Sequence, residues 1–395
     1  MLYPIVPHPG VAVTTPLASR LTSIDQLRGT VIVLMLLDHV RETFYLHHQV
    51  PDPMVVDQTE PALFVSRLLA HLCAPVFVLL TGLSAWLYGS TKADGRRATS
   101  AFLLKRGLFL VALELLVVNF AWTLQFPPSV IYLQVIWAIG LSMIVLAGLL
   151  WLPRGALAAL ALVLIAGHNL LDGVRVTGDG PLAILWKVLH QRDWIALGDH
   201  LRLRTSYPVL PWIGVIALGY AIGPWFARGG DAAQRQQRLV LAGGGALLGF
   251  VLLRAVNVYG DSPWQTLGTA GATLMSMFNV TKYPPSLLFL LLTLGVGLLL
   301  LRLYERPAVA RVLAPLADIG AAPMFFYLLH LYVLKLLYVL AEAYRGPTHG
   351  AYVGVDHVAT LWVLTAVLVL ALYWPTRAFA RLKARRRDVA WLRYL

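Results

Sequence analysis

Two ionisable side chains stand on a stretch of sequence otherwise apolar enough to be buried in lipid. Asp25-Gln26-Leu27-Arg28-Gly29 opens an apolar run that closes on Asp38-His39-Val40-Arg41-Glu42. Arg28 and His39 are eleven residues apart. On an α-helix that is three turns plus roughly 20°, so both lie on one face, about 16 Å apart along the axis. Such a face presents a fixed cation at one end and a titratable base in its interior. A guanidinium grips phosphate through a planar fork, and an imidazole takes up and returns a proton near neutral pH. His71 and His330 fall in other apolar runs. At 1.5 Å per residue they lie about 13 Å and 16 Å deep, against about 18 Å for His39. The three histidines therefore share one layer near the middle of a membrane.

Ionisable groups inside spans are costly and mark functional sites, yet each has a structural alternative. His71 or His330 alone can serve as an interhelical hydrogen-bond partner, and Arg28 as an interfacial anchor. Asp38 is placed to pair with Arg41 three residues on, and Glu114 to pair with an arginine. Arg67, Arg254 and Lys335 lie near span ends and are expected to snorkel. His47 and His48 are adjacent loop residues that fit a solvated tip. Cys73, the only cysteine, reads as a small core residue rather than an acyl-carrying thiol. A single thiol excludes an internal disulfide and a cysteine-based zinc cluster, and no metal cofactor is expected. Phosphate-loop, HExxH, GxSxG and EF-hand patterns are all missing. The glycines of AGGGALLG (242–249) read as close helix packing, and Asn279-Val280-Thr281 matches a glycosylation sequon.

The elements that must position these groups follow from composition. Of 395 residues, 58% are hydrophobic and 13% charged, with a mean hydropathy of +0.71. Soluble domains carry roughly 25% charged residues, so disorder, a coiled coil, a secreted disulfide scaffold and a conventional cytosolic enzyme are excluded. Ten segments are long enough to span about 30 Å of hydrocarbon as helix: 27–46, 62–88, 102–124, 130–151, 155–171, 207–226, 239–257, 285–303, 319–341 and 358–378. The net charge of +13 is spread between these runs and along the C-terminal tail. That distribution is the positive-inside bias and argues against nucleic acid as a partner. It places both termini in the cytoplasm. The expected fold is all-α and polytopic, with about ten transmembrane helices. A flexible tail (1–26) would precede a membrane domain (27–380), and a basic cytoplasmic tail (381–395) would follow it. Segments 47–61, 172–206 and 258–284 become folded outer loops.

The opening SRLTSIDQLRGTVIVLMLLDHVR resembles that of the transmembrane acyltransferases, and is similar to bacterial relatives of lysosomal heparan-α-glucosaminide N-acetyltransferase. Ser23, Asp25, Arg28 and Gly29 match S-x-D-x-x-R-G, and the stretch from His71 through Pro75 and Phe77 to Gly82 matches the second span. SYPVLPWIGVIALGY, NVTKYPPSLLFLLLTLG and PMFFYLLHLYV look like later blocks, so the likeness runs over residues 20 to 380. The Arg28-to-His39 spacing also matches the R-x10-H signature of the acyltransferase-3 family, where the pair is associated with handling the acyl donor. The lysosomal enzyme has Asn at the place of His39 and an acidic residue at that of His71. Its proposed catalytic histidine follows the first span, where this chain has His47 and His48. The base is thus either His39 or the His47/His48 pair, and the acceptor differs from heparan glucosamine.

The resemblance implies a membrane-embedded acyltransferase in a bacterial cytoplasmic membrane, moving an acyl group, in the first instance acetyl, from cytoplasmic acyl-CoA to an outer sugar or glycan. The residues fit that chemistry. Arg28, Lys105 and Arg106 would hold CoA phosphates at the inner mouth. His39 would be the base, with Asp38 or His71 beside it. Lys282 and Tyr283, with His330, would face the acceptor. The rival is a secondary transporter or channel for a polar solute, using the buried His and Asp residues as a proton relay. Membrane lipids are the other partners, and a homodimer is compatible with the sequence.

Overall fold

In the computed structural model, residues 21–386 and 388–393 are described. Most of the expected N-terminal tail, residues 1–20, lies outside them. The rest of it does not behave as a tail. Helix α1 (Thr22–Phe44) begins there, and Ser23, Asp25 and Gln26 are buried. Among the described residues 71% are helical.

After α1 come α2 (Pro61–Ala70) and α3 (Cys73–Gly89), which form one span interrupted at His71 and Leu72. Pro75 causes the break, because it has no N–H to offer the carbonyl four residues back. Helix α4 (Gly95–Leu113) runs into a π-helical turn, Glu114–Val118, and then the short α5 (Asn119–Thr123). The segment expected as one span over 102–124 is therefore helical to Thr123, with a π-helical turn inside it. Strand β1 (Val130–Tyr132) precedes α6 (Val135–Leu149), α7 (Arg154–Gly167) and α8 (Pro181–Leu189). Strands β2 (Trp194–Leu197) and β3 (Leu201–Arg204) lead into α9 (Leu210–Ile222) and α10 (Ala232–Val256). The rest is α11 (Ala270–Phe278), α12 (Leu287–Tyr304), α13 (Pro307–Val312), α14 (Ala314–Ala321), α15 (Pro323–Arg345) and α16 (Val358–Arg385).

Among the described residues six helices are long and apolar enough to cross a membrane: α2 with α3, α7 with the turn ending at Leu171, α10, α12, α15 and α16. Helices α6 and α9 are apolar but shorter. Helices α1 and α4 carry several charged residues each. The expected all-α class needs one addition, a three-stranded sheet in the order β1-β3-β2. β1 runs parallel to β3, and β2 antiparallel to it. Its register lines up Tyr132, Arg204 and Trp194 from three separate stretches of chain.

Small residues let the helices meet closely. A Cβ on Gly29 of α1 would run into the Leu316 carbonyl of α14, and one on Gly320 would run into the Asp25 carbonyl. Gly82 and Gly219 make the same reciprocal contact between α3 and α9. Gly243 packs α10 on α12 as its motif suggested, whereas Gly244 and Gly245 face open space.

Candidate active site

A cavity of about 920 Å³ runs along α1, within the range of roughly 300–1,000 Å³ typical of small-molecule sites. Arg28, Ser84, Tyr88, Phe102, Arg106 and Lys383 line one end. Met35, Asp38, His39, Cys73 and Tyr327 line its middle, and Tyr132, Arg192, Trp194, Arg204, Lys282 and Tyr283 the other end. A second cavity of about 780 Å³ shares Glu42, Gln49, Tyr132, Gln134, Arg192 and Tyr283 with this sheet end.

The eleven-residue spacing does put Arg28 and His39 on one cavity wall. Arg28 donates to Asp25 at 2.9 Å and to the Ser84 hydroxyl. Arg106 lines the same end. Lys105 points away and is exposed, and Lys383 of α16 takes the place expected of it. Helix α16 extends to Arg385, so the basic tail expected from 381 starts as helix.

His39 and His330 form a hydrogen-bonded pair, Nδ1 to Nε2, at 2.7 Å. His330 Nδ1 lies 2.8 Å from the Phe326 carbonyl. A carbonyl only accepts, so His330 carries its proton on Nδ1 and accepts on Nε2. His39 must then donate from Nδ1, which leaves its Nε2 with a free lone pair. Trp122 and Tyr327 stand edge-on to the His39 ring at 5.2 and 5.9 Å between centroids. The Tyr327 hydroxyl is buried beside the Trp122 indole N–H, and among the described residues no group accepts its proton. His330 is thus behind His39, and it does not line the cavity.

Asp38 pairs with Arg41 at 2.9 Å, as its spacing predicts. It also holds Arg67 at 3.2 Å and Lys282 at 3.8 Å. Arg67 is therefore turned inward to a buried carboxylate instead of snorkelling. Lys282 is buried too. Burial works against its cation, but Tyr283 and the Asp38 carboxylate outweigh that and raise its pKa. Its backbone N–H donates to Asp52 at 2.9 Å, and burial pushes the Asp52 carboxyl above its ordinary range despite that bond. Arg192 lies over the Tyr283 ring at 4.6 Å, and the Tyr283 and Tyr207 hydroxyls are 3.3 Å apart.

Three folded details fix this end. Asp261 accepts from the Thr281 N–H and hydroxyl at 2.8 and 2.7 Å and from the Ser286 hydroxyl at 2.5 Å. Arg254, expected to snorkel, is buried and donates to the Ser262 and Asn279 carbonyls at 2.9 Å each. The Asn279 amide bonds both backbone groups of Met54, so the sequon side chain is engaged.

The remaining expected groups lie elsewhere. His71 is buried against Phe289, with ring centroids 5.2 Å apart, and does not line the cavity. His47 stacks on His349 at 4.0 Å and touches His48 at 4.6 Å, outside both cavities. Burial, with His349 and His48 beside it, lowers the His47 pKa. Glu114 accepts from the Trp137 N–H at 3.1 Å rather than from an arginine. Cys73 donates to the Val31 carbonyl at 3.0 Å. Sequence reasoning missed Arg192, Trp194, Arg204 and Tyr207. For the first three the signal was the aromatic and cationic content of the 172–206 loop, and Tyr207 stands at its end, in the SYPVLPW block.

An apolar helical bundle around an elongated cavity with a free imidazole nitrogen, taken with the chain's match to a known family, defines a membrane acyltransferase. The family model for heparan-α-glucosaminide N-acetyltransferase, catalytic, matches residues 20–252, more than half of the chain, and the protein belongs to that family. No curated protein matches the chain. The likeness expected over 20–380 is thus shown over 20–252, which includes Arg28 and His39. Lys282, Tyr283, His330 and Lys383 come from the remainder.

Proposed function

We propose that the protein transfers an acetyl group from acetyl-CoA, held at the α16 end of the cavity, to the amine or hydroxyl of a sugar or glycan at the sheet end. The supporting observation is the continuity of one cavity from Arg28, Arg106 and Lys383, past His39, to Arg192, Lys282 and Tyr283. Family membership supports acetyl transfer. The orientation rests on the excess of Lys and Arg at the α16 end, which assigns it to the cytoplasm and both termini with it. In that reading α1, α4, α6 and α9 complete a ten-span protein of a bacterial cytoplasmic membrane, and the R-x10-H pair is its donor-handling wall.

The donor supplies an activated thioester carbonyl. Arg28, Arg106 and Lys383 bind its phosphates through charge-assisted hydrogen bonds, while the stacked Tyr88 and Phe102 rings line the wall beside them. His39 Nε2 takes the proton of the acceptor amine or hydroxyl as the new bond to the acyl carbon forms. It returns that proton to the departing sulfur as the carbon–sulfur bond breaks. Through its hydrogen bond, His330 fixes the His39 tautomer. The Tyr327 hydroxyl, whose proton has no acceptor among the described residues, is a donor for the oxygen that gains charge. Arg192 and Lys282 orient the acceptor.

The test is purified protein in liposomes, supplied with labelled acetyl-CoA on one face and amino sugars on the other. Label should reach the acceptor in the wild type. His39→Gln should fall by about 10²–10⁴-fold, the usual contribution of a general base, with donor binding retained. Normal turnover in His39→Gln together with a dead His47→Ala or His48→Ala would move the base to the outer loop.

A further inference from the structure

Away from the cavity, two histidines and an aspartate converge just past the end of α7. His168 Nδ1 lies 3.4 Å from His190 Nε2, and His190 Nε2 lies 3.6 Å from Asp172 Oδ1. One donor atom from each of the three residues falls within 4.8 Å of the others. Both imidazoles are buried, while Asp172 is half exposed. The residues come from two separate stretches: His168 and Asp172 flank the last turn after α7, and His190 caps α8.

We propose that His168, Asp172 and His190 form a divalent-metal site, with zinc the best-matched ion, that ties the end of α7 to the excursion carrying Arg192. Two zinc–nitrogen bonds of about 2.0–2.1 Å at the tetrahedral angle hold their nitrogens roughly 3.3–3.4 Å apart. The imidazole nitrogens already stand at that spacing. Two imidazoles and one carboxylate are a common zinc donor set, and they leave the fourth position for water on the exposed side of Asp172.

For Asp172 and His190 the groups behind the ligand are in place as well. The Asn169 amide donates to Asp172 Oδ2 at 2.8 Å, leaving Oδ1 turned toward His190. Trp186 stacks on the His190 ring at 5.4 Å. Such supporting contacts orient metal ligands and tune affinity. Asn169 Oδ1 also accepts from the Leu287 N–H at 2.8 Å, so the site is joined to the start of α12. Arg192 follows His190 by two residues and reaches the Tyr283 ring. An ion here therefore acts as a cross-link behind the sheet end of the cavity, and it takes no part in proton transfer.

The test uses full-length protein in detergent, stripped with a chelator and titrated with zinc alone against a chromophoric competitor. One zinc per chain is expected. Asp172→Asn and His190→Gln should each weaken binding by at least about tenfold, since even supporting residues are worth about 10–100-fold in affinity. Cobalt in the same site should show tetrahedral visible bands that both variants lose. Asp172 is half exposed, so Asp172→Asn decides the matter if His190→Gln does not fold. His349→Gln, in the other histidine cluster, should bind zinc as the wild type does. Absence of zinc binding by the wild type would overturn the site. So would wild-type affinity in Asp172→Asn, or loss of zinc in His349→Gln.

Discussion

Removal of His330 tests whether the buried histidine pair works as one unit. His330→Ala deletes the acceptor of the His39 Nδ1–H bond and leaves that donor buried. An unsatisfied buried donor costs about 1–3 kcal/mol. If the cost falls on the transition state, at about 1.36 kcal/mol per tenfold, kcat drops by roughly 5- to 150-fold. His330→Gln keeps an acceptor oxygen near the place of Nε2 and should recover part of the loss. Single-turnover acetyl transfer reads the effect on chemistry, donor binding should be unchanged, and a melting curve shows that each variant is folded. The double variant His39→Gln/His330→Ala should be no slower than His39→Gln alone, because His330 acts only through His39. An unchanged kcat in His330→Ala, or additive losses in the double variant, would refute the assignment.

Arg28→Ala should weaken acetyl-CoA binding by about 1.5–3 kcal/mol, the value of a charge-assisted hydrogen bond, as read by calorimetry. Arg28→Lys should recover only part, since it lacks the planar fork. Tyr327→Phe should lower kcat by about 10²-fold while leaving donor affinity intact, if its hydroxyl meets the developing oxyanion. Asp52 has a raised carboxyl pKa, so the stability tied to its protonation is present at low pH and lost as pH rises through that raised value. The melting temperature of the wild type relative to Asp52→Asn should therefore increase as pH is lowered from neutral, and a flat difference would contradict it.

The helical membrane class was legible because lipid leaves so few ways to satisfy a backbone. The facing of Arg28 and His39 was legible because both sit on one helix, where spacing fixes direction. The sequence placed His71 and His330 at a common depth with His39, but depth is not azimuth. His330 turns to His39, whereas His71 turns to Phe289. Arg67 was misjudged because its partner, Asp38, lies on another helix, and local sequence says nothing of that. The sheet escaped notice because strands of three or four residues are too short to show alternation. The break at Glu114 was hidden for a related reason, since a π-helical turn has the same apolar composition as the helix around it.

The Gly29–Gly320 contact has a consequence for which donors the cavity can admit. Gly320 and Ala321 line the α16 end, so part of that wall is main chain pressed against main chain. A pocket walled by side chains can be enlarged by trimming them, one methylene at a time. Here the residues are already the smallest there are, and every substitution at 29 or 320 can only crowd the helices or push them apart. Selection for a bulkier donor therefore has no small step open to it on this side. Room for a larger ligand would instead have to come from the side-chain wall, at Tyr88, Phe102 and Leu103, where there is still volume to give away.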